Sequence, residues 1–340
     1  MSKGIVLLTG LNGFIAARAA EAFLQAGYSI RGTVRAKASA KAVVDALSQY
    51  GADKLEVIEV PDIAAAGAFD EAAKGVHGIV HLAQPATFDI PDPAPIMALV
   101  KGSTIGILES ASKSASVKSV ILLSSAGAVG SNKEGPYTFT EKDWNDDAVE
   151  AFEQLGAKTP GAFIYLASKV IGEREFWKFR EERKPSFTMT ALNPVYVTGP
   201  PLTPPETPEK IVDSARYVWR IMSGAEIIDP PYGYGWYVDV RDVAKLILFA
   251  VERADEADGE RYISSTCWGP PQAAADILRP AYPRLPIKEG KPGEGYLPGF
   301  KAPGPLDFDG SKALKAVGHG FVPYDQSLLD MAKMIEHLFE

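Results

Sequence analysis

The sequence predicts an α/β protein: a parallel sheet wound on both faces by helices, with a smaller domain towards the C-terminus. Three observations carry this. The first half alternates short apolar runs with longer stretches of helical period, the pattern of strands joined by helical crossovers. The first of those runs passes directly into a glycine turn and then a helical pattern, as a βαβ unit begins. The character then changes at Pro194, because Pro194, Pro200, Pro201, Pro204, Pro205 and Pro208 crowd together and break any regular element. At 340 residues, 46% of them hydrophobic, the chain has room for about two domains.

In chain order, strands are predicted over 4–9, 29–34, 55–60, 78–82, 117–123 and 187–192, and helices over 14–25, 38–50, 66–74, 96–115 and 160–183. The opening strand, Gly-Ile-Val-Leu-Leu-Thr, is apolar on both faces, as a strand inside a parallel sheet must be. The helix after it carries Phe14, Ala17, Ala20 and Leu24 on one face. Six such strands with right-handed crossovers make a doubly wound, Rossmann-type sheet. Beyond the first proline cluster, 237–246 followed by an apolar helical pattern to 251 reads as a return to the large domain. A second Pro/Gly-rich zone covers 283–305, and a last helix 326–339. The expected division is a dinucleotide-binding domain over 1–196, rejoined by 236–252, and a substrate domain formed mainly by 197–235 and 253–340.

Composition removes several function classes. Cys267 is the single cysteine, and His77, His81, His319 and His337 show no ligand spacing with it, so neither a disulfide scaffold nor a metal site is expected. His81 reads as part of the fourth strand and its core. A formal charge of -8 argues against a nucleic-acid partner, which needs a basic face. The N-terminal apolar run stops at Thr9-Gly10, too short for a signal peptide, and no stretch is long enough to span a bilayer, so a cytoplasmic protein without a membrane partner is expected.

The chemistry begins in the first turn, Gly10-Leu-Asn12-Gly13-Phe14-Ile15-Ala16. Gly10 allows the sharp turn, Gly13 lets the backbone approach a pyrophosphate, and small Ala16 lets the helix pack close to the strand. Asn12, Phe14 and Ile15 then sit where the helix start would hold the phosphates. The residue ending the second strand selects the dinucleotide. No acid occurs between Glu21 and Asp45, and the strand ends instead in Arg35, with Lys37 just beyond, which suits a 2'-phosphate and favours NADPH over NADH. Lys41 reads as ordinary surface.

Tyr165 and Lys169 are four apart in a helical stretch, so they share a face, and an ammonium beside the phenol is expected to lower its pKa towards working pH. Tyr50 and Lys54 repeat the spacing, but they flank a turn, Gly51-Ala-Asp53, and read as surface. Ser124-Ser125 follows the fifth strand, and ligands of open parallel sheets bind at the carboxyl ends of strands.

Together these residues resemble the extended short-chain dehydrogenase/reductases, in particular the fungal and plant branch of NADPH-dependent carbonyl reductases related to dihydroflavonol reductase and yeast methylglyoxal reductase. The likeness runs nearly end to end. It rests on Thr9-Gly-Leu-Asn-Gly-Phe-Ile-Ala16, Arg35, Pro61-Asp62-Ile63, His81-Leu-Ala-Gln-Pro85, Ser124-Ser-Ala-Gly127, Tyr165-Leu-Ala-Ser-Lys169, Asn193-Pro-Val-Tyr-Val-Thr-Gly-Pro200 and Val238-Asp-Val-Arg-Asp-Val-Ala244.

The resemblance implies that Ser125 orients a substrate carbonyl, Tyr165 donates the proton and Lys169 binds the nicotinamide ribose. It further implies that Asp62 and Ile63 contact the adenine side, Ala83 lines the ribose channel, and Pro194 and Val197 wall the nicotinamide. Ala86, Ala126 and Tyr196 are expected in the substrate pocket, roomy because relatives sometimes carry bulkier side chains at the two alanines. One departure stands out: where most of the superfamily has Asn-Gly-Thr before the fifth strand, this chain reads Lys101-Gly102-Ser103-Thr104.

The expected function is NADPH-dependent reduction of an aldehyde or ketone to an alcohol, by a monomer or homodimer. Two rival readings are a nucleotide-sugar epimerase or dehydratase of the same superfamily and an NADPH-sensing regulator without catalysis. Trp144 is expected to anchor a surface loop, and the acidic run 143–153 to be a solvated face. The cluster Tyr232-Gly-Tyr-Gly-Trp-Tyr237 either lines an aromatic pocket or packs the return strand.

Overall fold

Strands apolar on both faces must be covered on both faces, and the computed structural model, which describes residues 2–84, 93–227 and 235–339, shows that arrangement. β1 (Ile5–Thr9) runs through α1 (Phe14–Gln25) to β2 (Ser29–Val34), then α2 (Lys41–Leu47) and β3 (Leu55–Glu59). β4 (Gly78–His81), α3 (Pro93–Ser112) and β5 (Ser119–Leu123) follow, then β6 (Tyr137–Phe139), α4 (Asp146–Leu155), α5 (Gly161–Arg183) and β7 (Thr188–Pro194). β8 (Tyr196–Thr198), α6 (Asp213–Met222), β9 (Trp236–Asp239), α7 (Val240–Glu252), α8 (Ala254–Ala257) and β10 (Arg261–Ser264) come next. The chain closes with β11 (Cys267–Trp268), α9 (Pro271–Ala281), β12 (Leu306–Phe308), α10 (Ser311–Val317) and α11 (Tyr324–Ile335).

The main sheet has the order β10-β7-β5-β4-β1-β2-β3, and the pairings from β3 across to β7 are parallel. After β3 the chain crosses back to lay β4 against the other side of β1, so the winding reverses between these two strands. In open α/β sheets ligands bind at the carboxyl ends of the strands beside such a reversal. Phe69, Val76, Ile79, Ile107, Val120, Phe176 and Met189 are all buried in the core beneath.

The expected strand 29–34 and helix 14–25 are found at those limits. The stretch 66–74 is not the expected helix. It is a string of turns, with hydrogen bonds such as Asp70 N to Gly67 O that close after three residues, and Gly67 adopts φ +71. Two anchors hold it there: Phe69 is fully buried, and the Asp70 carboxylate accepts from Ser110 Oγ at 2.7 Å and Lys113 Nζ at 2.8 Å. A seventh strand, β10, borders β7, and the acidic run contains α4, capped by Asn145 Oδ1 accepting from Ala148 N.

The chain divides into two compact units. One comprises 1–132, 141–193 and 244–262 and holds most of the main sheet. The other comprises 133–140, 194–243 and 263–340. In the second, β11-β9-β8 form a small sheet and β12 pairs with β6. Its core centres on Tyr237, 1% exposed, with the rings of Tyr196, Tyr217 and Tyr324 around it at 5.1 to 5.8 Å. Trp236 packs edge-on against Trp268 and Phe308. The part of the aromatic cluster that is described, Trp236 and Tyr237, therefore packs; Tyr232 to Tyr234 lie outside the described residues. Among the described residues no helix is long and apolar enough to cross a membrane, and no cluster of His, Cys, Asp and Glu could hold a metal ion.

Candidate active site

The site grows from the end of β1. Gly10 turns the chain at φ +72, and Gly13 N closes the turn by donating to Gly10 O at 2.8 Å. Leu11, fully buried, fixes the turn to β2, since its N–H donates to Thr33 O and its side chain lies over Gly32. Asn12 and Gly13 are exposed, and Phe14 and Ile15 half-buried. α1 thus starts with no side-chain cap and no acid in its first turn, leaving its leading N–H groups and positive dipole end to an anion.

The neighbouring strand end is locked to the same turn. Thr9 Oγ1 accepts from Leu82 N and Ala83 N, both at 2.9 Å, which uses both of its lone pairs. Its own proton therefore goes to His81 Nδ1, 3.1 Å away. His81 is buried, which drives its pKa down to about 3, so the ring is neutral and serves the core of β4. Ala83 backs onto Gly10, where a Cβ would come within 3.4 Å of it.

Arg35 and Lys37 are exposed just beyond β2, and among the described residues neither has an ion-pair partner within the chain, whereas Lys41 pairs with Asp45. Asp62 is exposed, its Oδ1 accepting from Ala64 N, and Ile63 packs half-buried against the core. Pro194 and Val197 are buried and Tyr196 half-buried in the second unit. Ala86 lies outside the described residues.

At the end of β5 the structure brings together the residues that sequence spacing singled out. Tyr165 Oη, on α5, donates to Ser125 Oγ at 3.4 Å, and Ser125 Oγ also accepts from Gly127 N at 3.0 Å. Ala126, 7% exposed, begins the short 3-10 turn after the serine. Lys169 Nζ lies 5.5 Å from the centre of the Tyr165 ring.

The expectation that Lys169 lowers the phenol pKa is not met in this state. Burial pushes the Tyr165 hydroxyl up, and the Ser125 hydrogen bond works against it. The reason is that Lys169 is itself buried: desolvation brings its ammonium down to about 8, opposed by Glu173, and its proton is directed to Gln84 Oε1 at 3.3 Å.

Beneath the site lies a polar network that the sequence reading passed over. Glu173, fully buried, accepts through Oε2 from Ser124 Oγ at 2.6 Å and Asn193 Nδ2 at 2.7 Å, and through Oε1 from Arg261 Nε at 2.6 Å and Trp177 Nε1 at 3.2 Å. Asn193 Nδ2 also donates to Ser125 O. One carboxylate on α5 thus ties together the ends of β5 and β7 and the start of β10. Trp144, the expected loop anchor, stacks on the Arg261 guanidinium, 4.0 Å from its ring centre. The signal for Glu173 was present, since Tyr165, Lys169 and Glu173 fall at successive i, i+4 positions on one face. Gln84 lay inside the motif His81-Leu-Ala-Gln-Pro85 with no role of its own, and Arg261 carried no local signal.

Over residues 6–263 the chain matches the NAD dependent epimerase/dehydratase family. It is 38% identical over 275 residues, 78% of each chain, to an uncharacterized oxidoreductase of Schizosaccharomyces pombe. It is 32% identical over 344 residues, 97% of each chain, to the NADPH-dependent methylglyoxal reductase of Saccharomyces cerevisiae. Among solved structures, yeast methylglyoxal/isovaleraldehyde reductase complexed with NADPH superposes with a TM-score of 0.84 at 30% identity, covering 98% of this chain and 99% of that one.

Proposed function

Because this chain belongs to the NAD dependent epimerase/dehydratase family, we propose that it is an NADPH-dependent reductase that converts aldehydes or ketones to alcohols. The residues present fit the dinucleotide. The uncapped start of α1 suits the pyrophosphate through Gly10, Asn12, Gly13, Phe14 and Ile15, and the exposed cations Arg35 and Lys37 suit a 2'-phosphate. Asp62, Ile63, Ala83, Pro194 and Val197 complete the proposed cofactor contacts. When bound, NADPH supplies the hydride that reduces the carbonyl carbon.

The single observation that carries the reading is the hydrogen bond from Tyr165 Oη to Ser125 Oγ, with Lys169 Nζ against the same ring. Ser125 Oγ holds the carbonyl oxygen, and Tyr165 Oη donates its proton to that oxygen as negative charge develops on it. The raised phenol pKa keeps the donor protonated at neutral pH, and an alkoxide is the stronger base, so the transfer runs downhill. Lys169 then faces the phenolate left behind and holds the cofactor ribose. We assign Ala86, Ala126 and Tyr196 to a small-molecule carbonyl substrate, 197–235 and 253–340 to the substrate domain, and 1–196 and 236–252 to the cofactor domain. We place the working enzyme in the cytosol as a monomer or homodimer.

NADPH oxidation against a panel of aldehydes and ketones tests the assignment, and the expected result is turnover that stops when either partner is omitted. Binding of NADPH without turnover on any carbonyl would make the protein a sensor. Cofactor choice has its own test. Arg35→Asp turns a charge-assisted contact worth roughly 1.5–3 kcal/mol into a repulsion, so NADPH affinity falls at least about tenfold while NADH affinity does not. Equal affinity of the wild type for the two cofactors, measured by fluorescence titration, would remove Arg35 from the site.

A further inference from the structure

We propose that Gln84 is a positioning residue for the reduction, its side-chain amide bridging Lys169 of α5 and Thr104 of α3 so that the ammonium is held towards the site. This rests on the reductase reading given above.

Gln84 stands three residues beyond the end of β4, at the carboxyl edge of the sheet. Its Oε1 accepts from Lys169 Nζ at 3.3 Å and its Nε2 donates to Thr104 Oγ1 at 3.2 Å. The amide can face only this way, because an ammonium has no acceptor and a flipped amide would set N–H against N–H. Thr104, fully buried, fixes the far end. The bridge depends on α3 and α5 lying close together. Gly172 permits that, since a Cβ there would come within 2.5 Å of Val100 Cγ1, 3.7 Å of Gln84 Nε2 and 3.9 Å of Thr104 Oγ1.

A neutral acceptor on a buried ammonium stabilises the charged form, so the bridge works to keep Lys169 protonated. Among the described residues the other groups around Lys169 are few. β4 presents His81, which is neutral; α5 itself presents Tyr165 and Glu173, the latter engaged by Arg261 of β10. Both charged residues of α3, Lys101 and Glu109, are exposed, and Lys101 pairs with Glu175. With burial bringing Lys169 down to about 8, the loss or gain of one partner moves its titration across the working range.

Gln84→Leu and Gln84→Glu test the bridge because they act in opposite directions. Removing the acceptor lowers the pH at which Lys169 loses its proton by about one unit, and a carboxylate in its place raises that pH by a similar amount. The titration is read directly from the lysine Cε signals in carbon-13 NMR of the full-length protein, with Lys169→Met identifying the resonance. The alkaline limb of kcat/KM for carbonyl reduction moves the same way in each variant. A side chain that merely packs would reduce the rate with neither limb nor resonance displaced, and that result, or displacement of both variants in one direction, overturns the proposal. A wild type that reduces no carbonyl would defeat the reductase reading alone, since the NMR titration still decides what Gln84 does to Lys169.

Discussion

Tyr165→Phe lowers turnover by roughly a hundredfold to ten-thousandfold and leaves NADPH affinity near that of the wild type. The substitution removes only the hydroxyl that reaches Ser125 Oγ, and the ring keeps its place beneath Lys169. The developing alkoxide then has to take its proton from water, without the help of a placed acid. Lys169→Met behaves differently, because in the proposed mechanism the ammonium serves both the phenolate and the cofactor ribose; it loses turnover and NADPH affinity together. Steady-state rates beside fluorescence titration of NADPH separate the two outcomes. A Tyr165→Phe enzyme that reduces ketones at close to the wild-type rate would show that the proton comes from another group.

Arg261→Leu destabilises the protein by about 3–5 kcal/mol, the cost of leaving a buried charge without its partner. The Glu173 side chain is 0% exposed and that of Arg261 8%, so water cannot take over the role of either. The guanidinium also holds Glu141 O and Asp143 O at 2.8 and 2.7 Å, contacts that leucine cannot make. The double variant Arg261→Leu/Glu173→Leu regains part of the loss, because no uncompensated carboxylate remains. Recovery is incomplete, since Ser124 and Asn193 lose their acceptor. Urea unfolding of the two variants beside the wild type gives the comparison, and a single variant as stable as wild type would mean that the network rearranges around the gap.

What could be read in advance follows from the range of the interactions. Hydrophobic period is local, and it located β2 and α1 to the residue. It failed over 66–74, where the alanines favour a helix but Phe69 and Asp70 are claimed by the core and by α3. It also passed over α4, in which Ala148 is the single buried residue, leaving little apolar face to detect. At the site, Tyr165 and Lys169 were legible because one helix turn sets their spacing. The partners that decide their protonation were not, since Gln84 is 85 positions from Lys169 and Arg261 is 88 from Glu173. Only folding makes them neighbours.

Arg35 and Lys37 stand in solvent, bound to no acid among the described residues, while the charges around Glu173 are buried and engaged on every side. If these two cations hold the 2'-phosphate as proposed, preference for one dinucleotide is a heritable trait separate from the ability to fold. Lineages could then drift from the phosphorylated to the plain cofactor by changing two exposed residues, and a bioprocess engineer who wants an NADH-driven catalyst would begin at the same two positions, away from the buried charges that the fold depends on.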